Sequence, residues 1–194
     1  MVVHGQDTRM SVLAIINTAS GDKSAVVFFN EHVAQHLPPD TVVTTERNVV
    51  SLIDCSTGPL VVVLASGDGT LQEILNQLST TTPPQLSFVL IPCGTANALY
   101  SSLFPLLAGD NNPAYRLQSL QAFLDHQTPS HLPLSSVTIS SPTTVTQTSI
   151  ASVVVSTSLH AAILRDSEEL RDQHPGLERC VPETAEEVLP DSQQ

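Results

Sequence analysis

The order of apolar runs in this chain predicts an α/β fold, a parallel sheet with helices on its faces, followed by a β-rich segment. Three observations carry that prediction. Short, β-branched-rich runs recur at 12–16 (VLAII), 41–44 (TVVT), 60–65 (LVVVLA) and 86–90 (LSFVL). The main runs are continuously apolar rather than alternating, as strands buried on both faces are. Helical spacing or a glycine turn follows each one, and a strand–helix unit repeated in this way calls for parallel pairing.

The first run leads into a polar turn, Asn17 to Lys23, and then Ala25, Phe28, Phe29, His32 and His36 give helical spacing up to the Pro38-Pro39 stop. After the second run, Thr45-Glu46-Arg47-Asn48 is expected to open a helix carrying Val49, Val50, Leu52 and Ile53, closed by Gly58-Pro59. The third run is the centre of the pattern. It ends in Ser66-Gly67-Asp68-Gly69, after which Leu71, Ile74, Leu75 and Leu78 fall at i, i+3, i+4 and i+7, one apolar helix stripe. A buried strand, a glycine turn and a helix N-terminus put backbone N–H groups and a positive dipole end together, where a phosphate would sit. The fourth run repeats the device with Pro92-Cys93-Gly94-Thr95-Ala96-Asn97. One Gly-Asp-Gly is an ordinary turn; two glycine turns after consecutive strands are the mark of a ligand-binding parallel sheet.

Beyond Asp110-Asn111-Asn112-Pro113, residues 114–126 are predicted helical, with Leu117, Leu120 and Leu124 inward. From 126 to 164 there is no Asp, Glu, Lys or Arg, and Ser and Thr abound. Strands are expected at 136–140 and 149–157, since valine, isoleucine and threonine suit a half-buried pleat. Residues 150–157, uncharged and without proline, are expected to expose an unpaired edge if their partner strands are missing. The tail from Asp166 is charged and expected to be partly helical to Gln173 and loose after Pro182.

The chain has 194 residues, 41% hydrophobic and 13% charged, which fits a globular domain with a proper core. A net charge of −12, with Lys23 the one lysine, leaves no basic face for nucleic acid or for purely electrostatic membrane binding. Cys55, Cys93 and Cys180 match no metal spacing and read as reduced thiols of an intracellular protein. The scattered histidines form no zinc motif. No signal core and no 18-residue apolar run is present, so a soluble, cytoplasmic protein is expected.

The motifs INTASG (16–21), TERN (45–48), SGDGTLQEILN (66–76), PCGTANAL (92–99) and SLHAAILRDSEELR (158–171) stand in an order that resembles the nucleotide-binding half of the diacylglycerol kinase and sphingosine kinase superfamily. The likeness runs from about Ser11 to Arg171 and leans toward the sphingoid-base and ceramide kinase branch. It implies an α/β domain like those of NAD kinase and diacylglycerol kinase at 11–127, a partial β-rich second domain at 131–180 and an acidic tail at 181–194. It also implies transfer of the γ-phosphoryl group of ATP, with Mg²⁺, to a lipid hydroxyl (sphingoid base, ceramide or diacylglycerol), the protein touching a membrane transiently at most.

The resemblance further implies site roles. Asn17, Ser20, Gly21, Thr45, Arg47, Asn48, Glu73, Gly94 and Thr95 would contact the nucleotide. Ser66, Gly67, Asp68 and Gly69 would bracket phosphates and acceptor, with Asp68 as the catalytic group; Arg171, and less surely Arg179, would reach phosphate. No protein metal site is expected. In general chemistry such a transfer needs positioning and charge neutralisation above all, and an ordinary Asp, near pKa 3.9, orients a hydroxyl better than it deprotonates one.

Three departures qualify the resemblance. Asp22 and the single Lys23 replace a glycine- and lysine-rich phosphate turn, so its field is expected to be weaker. Leu164 stands where the sphingosine-kinase pattern has an acidic residue, which puts an amino-alcohol acceptor in question. The β-sandwich is expected to be incomplete, with only its first two strands and one helix. Two other readings therefore stand beside the kinase: a truncated nucleotide-binding remnant without turnover, and a soluble kinase of the NAD-kinase or phosphofructokinase type, against which PCGTANAL has no counterpart.

Overall fold

In the computed structural model, residues 10–54, 58–78, 85–105, 112–141, 144–153, 155, 165–167, 170 and 173 are described. The chain divides into two compact units, Met1–Val153 and Val154–Gln194; every element named below belongs to the first.

Four parallel strands, β1 (Ser11–Ile16), β2 (Val42–Thr44), β3 (Leu60–Ser66) and β4 (Leu86–Pro92), form a sheet in the order β2-β1-β3-β4. Ala14 lies between Val43 and Val63, and Val63 in turn pairs with Val89. All seven residues of β3 are buried, which accounts for its unbroken apolar run. Successive side chains of a strand point to opposite faces, and the core divides accordingly. Val12, Ala14, Ile16, Val61, Val63 and Ala65 pack with Phe28, Phe29 and Val33 on one face, where Leu120 joins them. Leu13, Ile15, Val62 and Leu64 pack on the other face with Val49, Ile53, Leu71, Ile74 and Leu99.

The helix after β1 is α1 (Ala25–Phe28), widening into a π turn over Phe29–Val33 and tightening to a 3-10 turn over Ala34–His36. Leu37 is extended, as a residue before proline tends to be. After β3 comes α3 (Asp68–Gln77), with Leu71 and Ile74 buried and Leu75 and Leu78 packed against that core.

Four expectations are corrected. The helix after β2, α2, spans Val50–Asp54, so Thr45-Glu46-Arg47-Asn48 is a loop rather than a helix start. Thr44 Oγ1 accepts the Glu46 N–H at 3.1 Å, a side-chain turn that competes with helix. The helix expected at 114–126 is two, α5 (Pro113–Arg116) and α6 (Gln118–Leu124), broken at Leu117. Arg116 is drawn off to the end of β4, where its Nε donates to the Pro92 carbonyl at 3.0 Å. The strand expected at 149–157 lies at Thr144–Ala151 (β6), paired antiparallel with β5 (Ser135–Ser141). The two strands pair from Ser135↔Ala151 to Ser141↔Thr144, so pairing begins five residues earlier than the apolar run suggested. Finally, the β6 edge around Ile150 is covered, by side chains of α3. The helix α4 spans Ala98–Leu103. Residues 55–57, 106–111, 156–164, Arg171, Arg179 and the tail expected after Pro182 lie outside the described residues.

Candidate functional site

In the strand order β2-β1-β3-β4 the chain leaves β1 toward one edge and later resumes on its other side at β3. Above the carboxyl ends of β1 and β3 the connections therefore part, and ligands of open α/β sheets bind in such crevices. Asn17, the first residue past β1, bridges the gap: its Nδ2 donates to Thr70 Oγ1 in α3 at 2.7 Å, and its backbone N–H donates to the Ala65 carbonyl at 3.0 Å. Its Oδ1 accepts the Ala19 N–H at 3.0 Å, shaping the turn that follows.

Three loops meet here through their glycines. Gly21 has φ +53°, and a Cβ on it would fall 2.4 Å from the Cys93 carbonyl oxygen. A Cβ on Gly94 would fall 2.5 Å from Gly67 Cα, and one on Gly67 would fall 2.9 Å from Gly94 Cα. The loops after β1, β3 and β4 thus touch backbone to backbone, which no larger residue permits. Gly69 differs: a Cβ there would meet nothing within 4 Å. Its bare face looks onto open space at the first turn of α3, whose N-terminus has no side-chain cap.

The Gly94 turn is held by Asn97, which sits in the left-handed region at φ 48°. Its Oδ1 accepts the Gly94 N–H and its Nδ2 donates to the Gly94 carbonyl, both at 2.8 Å. Asp68 ties α3 to the next helix. One carboxylate oxygen accepts the Ala98 N–H at 2.8 Å and the other the Leu99 N–H at 3.1 Å. The cap that α4 lacks from Asn97 comes from Asp68, so the carboxylate is fixed at a positive helix end. Each oxygen keeps a lone pair for another donor. Ser66, Asp68, Pro92, Asn97 and Tyr100 line a shallow pocket at this point.

Behind the loops, Arg116 lies 3.6 Å over the Phe28 ring, and its Nη2 donates to Cys93 Sγ at 3.0 Å. Burial pushes the Cys93 thiol above its ordinary pKa, against the pull of Arg116. The hydrogen bond from Ser24 holds the Asp22 carboxyl below the usual range, helped by the Arg116 charge.

Ser20 is buried, its backbone N–H given to the Asn17 carbonyl at 3.1 Å, so it braces the turn from behind. Arg47 reaches from the β2–α2 loop to Glu73 on α3 in a two-pronged ion pair, Nε to Oε2 at 3.1 Å and Nη2 to Oε1. Thr45 and Asn48 are exposed in the same loop. Sequence reasoning missed Thr70, Asn97, Gln72, Asn76 and Arg116. Thr70, Gln72 and Asn76 lie within SGDGTLQEILN and Asn97 within PCGTANAL, where an asparagine shortly after the Gly94 turn was the available signal; nothing in the sequence pointed to Arg116.

No curated protein matches this chain. Among solved structures it is similar to a candidate diacylglycerol kinase from Bacillus anthracis str. Sterne, at 19% identity and a TM-score of 0.41, over 71% of this chain and 43% of that one. The chain thus spans less than half the length of that protein. The family model of the diacylglycerol kinase catalytic domain matches residues 11–128, the segment that holds all four parallel strands and the three glycine loops. The chain therefore belongs to the diacylglycerol kinase catalytic domain family, a lipid-kinase-type domain.

Proposed function

We propose that this chain carries the nucleotide side of an ATP-dependent lipid kinase, which moves the γ-phosphoryl group to the hydroxyl of a neutral lipid such as ceramide or diacylglycerol. The observation that carries the reading is the meeting of three glycine loops at the switch point of the sheet, beside a seated carboxylate. In this reading the triphosphate passes the bare face of Gly69 and the uncapped first turn of α3, whose amides and dipole favour an anion. Gly21, Gly67, Gly94 and Thr95 form the floor; Arg47, with Thr45 and Asn48 beside it, supplies positive charge. Glu73 holds that guanidinium until a phosphate competes for it.

Asp68 orients the acceptor hydroxyl. As the lipid oxygen bonds to the γ-phosphorus, the bond from that phosphorus to the bridging oxygen breaks, ADP departs, and the hydroxyl proton passes to the Asp68 carboxylate. Positioning contributes more than basicity does. Among the described residues no three His, Cys, Asp or Glu side chains are grouped to hold a metal. In this reading Mg²⁺ would arrive on the phosphates, with Asp68 the carboxylate that would meet it. Mg²⁺ would neutralise charge on the β- and γ-oxygens. Arg171, outside the described residues, keeps its phosphate role from the family resemblance alone. The proposed division into 11–127, 131–180 and 181–194 belongs to the same reading. Among the described residues no helix is long and apolar enough to cross a membrane; we propose a cytoplasmic enzyme that meets its acceptor at a bilayer surface.

The test is incubation with γ-labelled ATP, Mg²⁺ and vesicles carrying sphingosine, ceramide or diacylglycerol. Label is expected in a lipid, and Asp68→Asn should lower turnover by about 10²–10⁴-fold while MgATP still raises the Tm. Unchanged labelling by Asp68→Asn overturns the reading. A MgATP-induced Tm rise with no lipid labelled by the wild type would instead mark a nucleotide-binding domain without turnover.

A further inference from the structure

Helix α3 has two working stripes. Leu71, Ile74, Leu75 and Leu78 pack into the core. Asp68, Gln72 and Asn76, at i, i+4 and i+8, form another stripe that hydrogen-bonds the backbone of two other elements. At its start Asp68 takes the Ala98 and Leu99 N–H groups of α4. Further along, Asn76 treats one residue of β6 as a neighbouring strand would: its Oδ1 accepts the Ile150 N–H at 2.7 Å and its Nδ2 donates to the Ile150 carbonyl at 2.8 Å. Asn76 Oδ1 also accepts from Ser149 Oγ at 2.8 Å. Gln72 Nε2 donates to the same Ile150 carbonyl, and its Oε1 accepts the Ser152 N–H at 3.2 Å and Ser152 Oγ at 3.3 Å.

Ile150 faces Ser136 of β5 across the hairpin, so these amides occupy the edge that β5 leaves open. An open strand edge is a costly feature that proteins cover, and here the cover is two carboxamides with matched donor and acceptor. An apolar contact would tolerate rotation of α3 about its axis, since burial is non-directional. Hydrogen bonds weaken steeply with angle, so this pair fixes the rotation.

We propose that Gln72 and Asn76 are positioning residues for Asp68: by gripping the edge of β6 they set the rotation of α3 that seats the Asp68 carboxylate on the N-terminus of α4. The coupling itself is a property of the fold; its consequence for phosphoryl transfer rests on the kinase reading above.

Amide hydrogen exchange on the full chain separates the two. In Asn76→Ala and Gln72→Ala, exchange at Ile150 and Ser152 should quicken by about tenfold or more, while Val62 and Val63 in the sheet centre stay unchanged. The positioning claim adds that Ala98 and Leu99, at the far end of α3, also quicken, because their acceptor Asp68 loses its fixed seat. Asn76→Asp covers the case in which the alanine variant fails to fold. It keeps the acceptor for Ile150 N–H but sets an ionised oxygen against the Ile150 carbonyl. The grip is then absent at neutral pH and returns as the carboxyl protonates, so protection at Ile150, Ala98 and Leu99 should recover together on acidification, relative to wild type at the same pH. Altered exchange at Ile150 and Ser152 with Ala98 and Leu99 untouched overturns the proposal, as does unaltered exchange throughout. The full exchange pattern in a protein that labels no lipid leaves the positioning claim standing and removes the kinase reading.

Discussion

The parallel sheet and the β5–β6 hairpin are held by opposite means. Strand β3 is buried along its whole length between two apolar layers, and its position follows from area removed from water. In the hairpin, Ile139 is 67% exposed. Thr138 and Thr148 share a hydrogen bond across the strands at 3.1 Å, and the outer edge is gripped by carboxamides. Burial makes the sheet stable but says little about orientation; hydrogen bonds orient the hairpin but add little net free energy. The site loops combine both, with glycine backbones in direct contact and side chains closing the turns.

The sharpest break of that contrast is Leu64→Ala against Ile139→Ala. The buried leucine should cost about 2–5 kcal/mol, and at about 2–4 °C per kcal/mol the Tm should fall by about 10 °C. The exposed isoleucine should change stability by no more than about 0.5 kcal/mol. Thermal unfolding of both variants decides it, and equal effects would mean that the hairpin has a core of its own.

Next in size, Gly21→Ala sets a Cβ against the Cys93 carbonyl oxygen at a positive φ. Left-handed strain and overpacking together should cost about 2–4 kcal/mol, read by urea unfolding. Gly69→Ala, with nothing near its Cβ, should leave stability level or raise it by up to about 1 kcal/mol, yet weaken the MgATP-induced Tm rise. Unimpaired nucleotide stabilisation in Gly69→Ala would remove the phosphate from that face.

Smaller again is Tyr100→Phe, which strips the donor from the Tyr115 carbonyl and should cost about 1 kcal/mol. Burial pushes the Tyr100 phenol up to about 12. Between the ordinary value near 10 and that raised one, the folded chain binds a proton that the unfolded chain has lost. Stability is therefore full below about pH 10 and falls as pH rises toward 12, and Tyr100→Phe should flatten that slope. Arg47→Ala should likewise have only a small effect on stability. Its partner Glu73 is 39% exposed and Arg47 itself 61%, so the loss should stay below about 1 kcal/mol and shrink further in salt.

Strands β1, β3 and β4 were legible because burial leaves a compositional trace, the exposed edge strand β2 by its β-branched residues alone, and the stripe from Leu71 to Leu78 because helical periodicity leaves one too. The loop at 45–49 was not legible as a loop: the turn in which Thr44 bonds Glu46 carries no glycine or proline to mark it, and Arg47 reaching Glu73, 26 positions away, is a contact that local pattern cannot see. For the same reason the helix break at Leu117 was hidden: it accompanies the reach of Arg116 to Pro92, 24 positions away. At the site, Gly67, Asp68 and Gly94 were visible as turn chemistry, but the touching of their loops was not. Nor was the second duty of Asp68 as the cap of α4, or the duty of Gln72 and Asn76 toward a strand more than 70 residues later.

By itself the sequence determined the strand–helix rhythm, the two glycine turns and a net charge of −12, because each is a property of local spacing or composition. Only the tertiary structure decided that three glycines meet, that Asp68 faces α4, and that two carboxamides hold the edge of β6. Those are pairings between distant backbones, set by hydrogen-bond direction and by space for a Cβ, and no local stretch of chain encodes either.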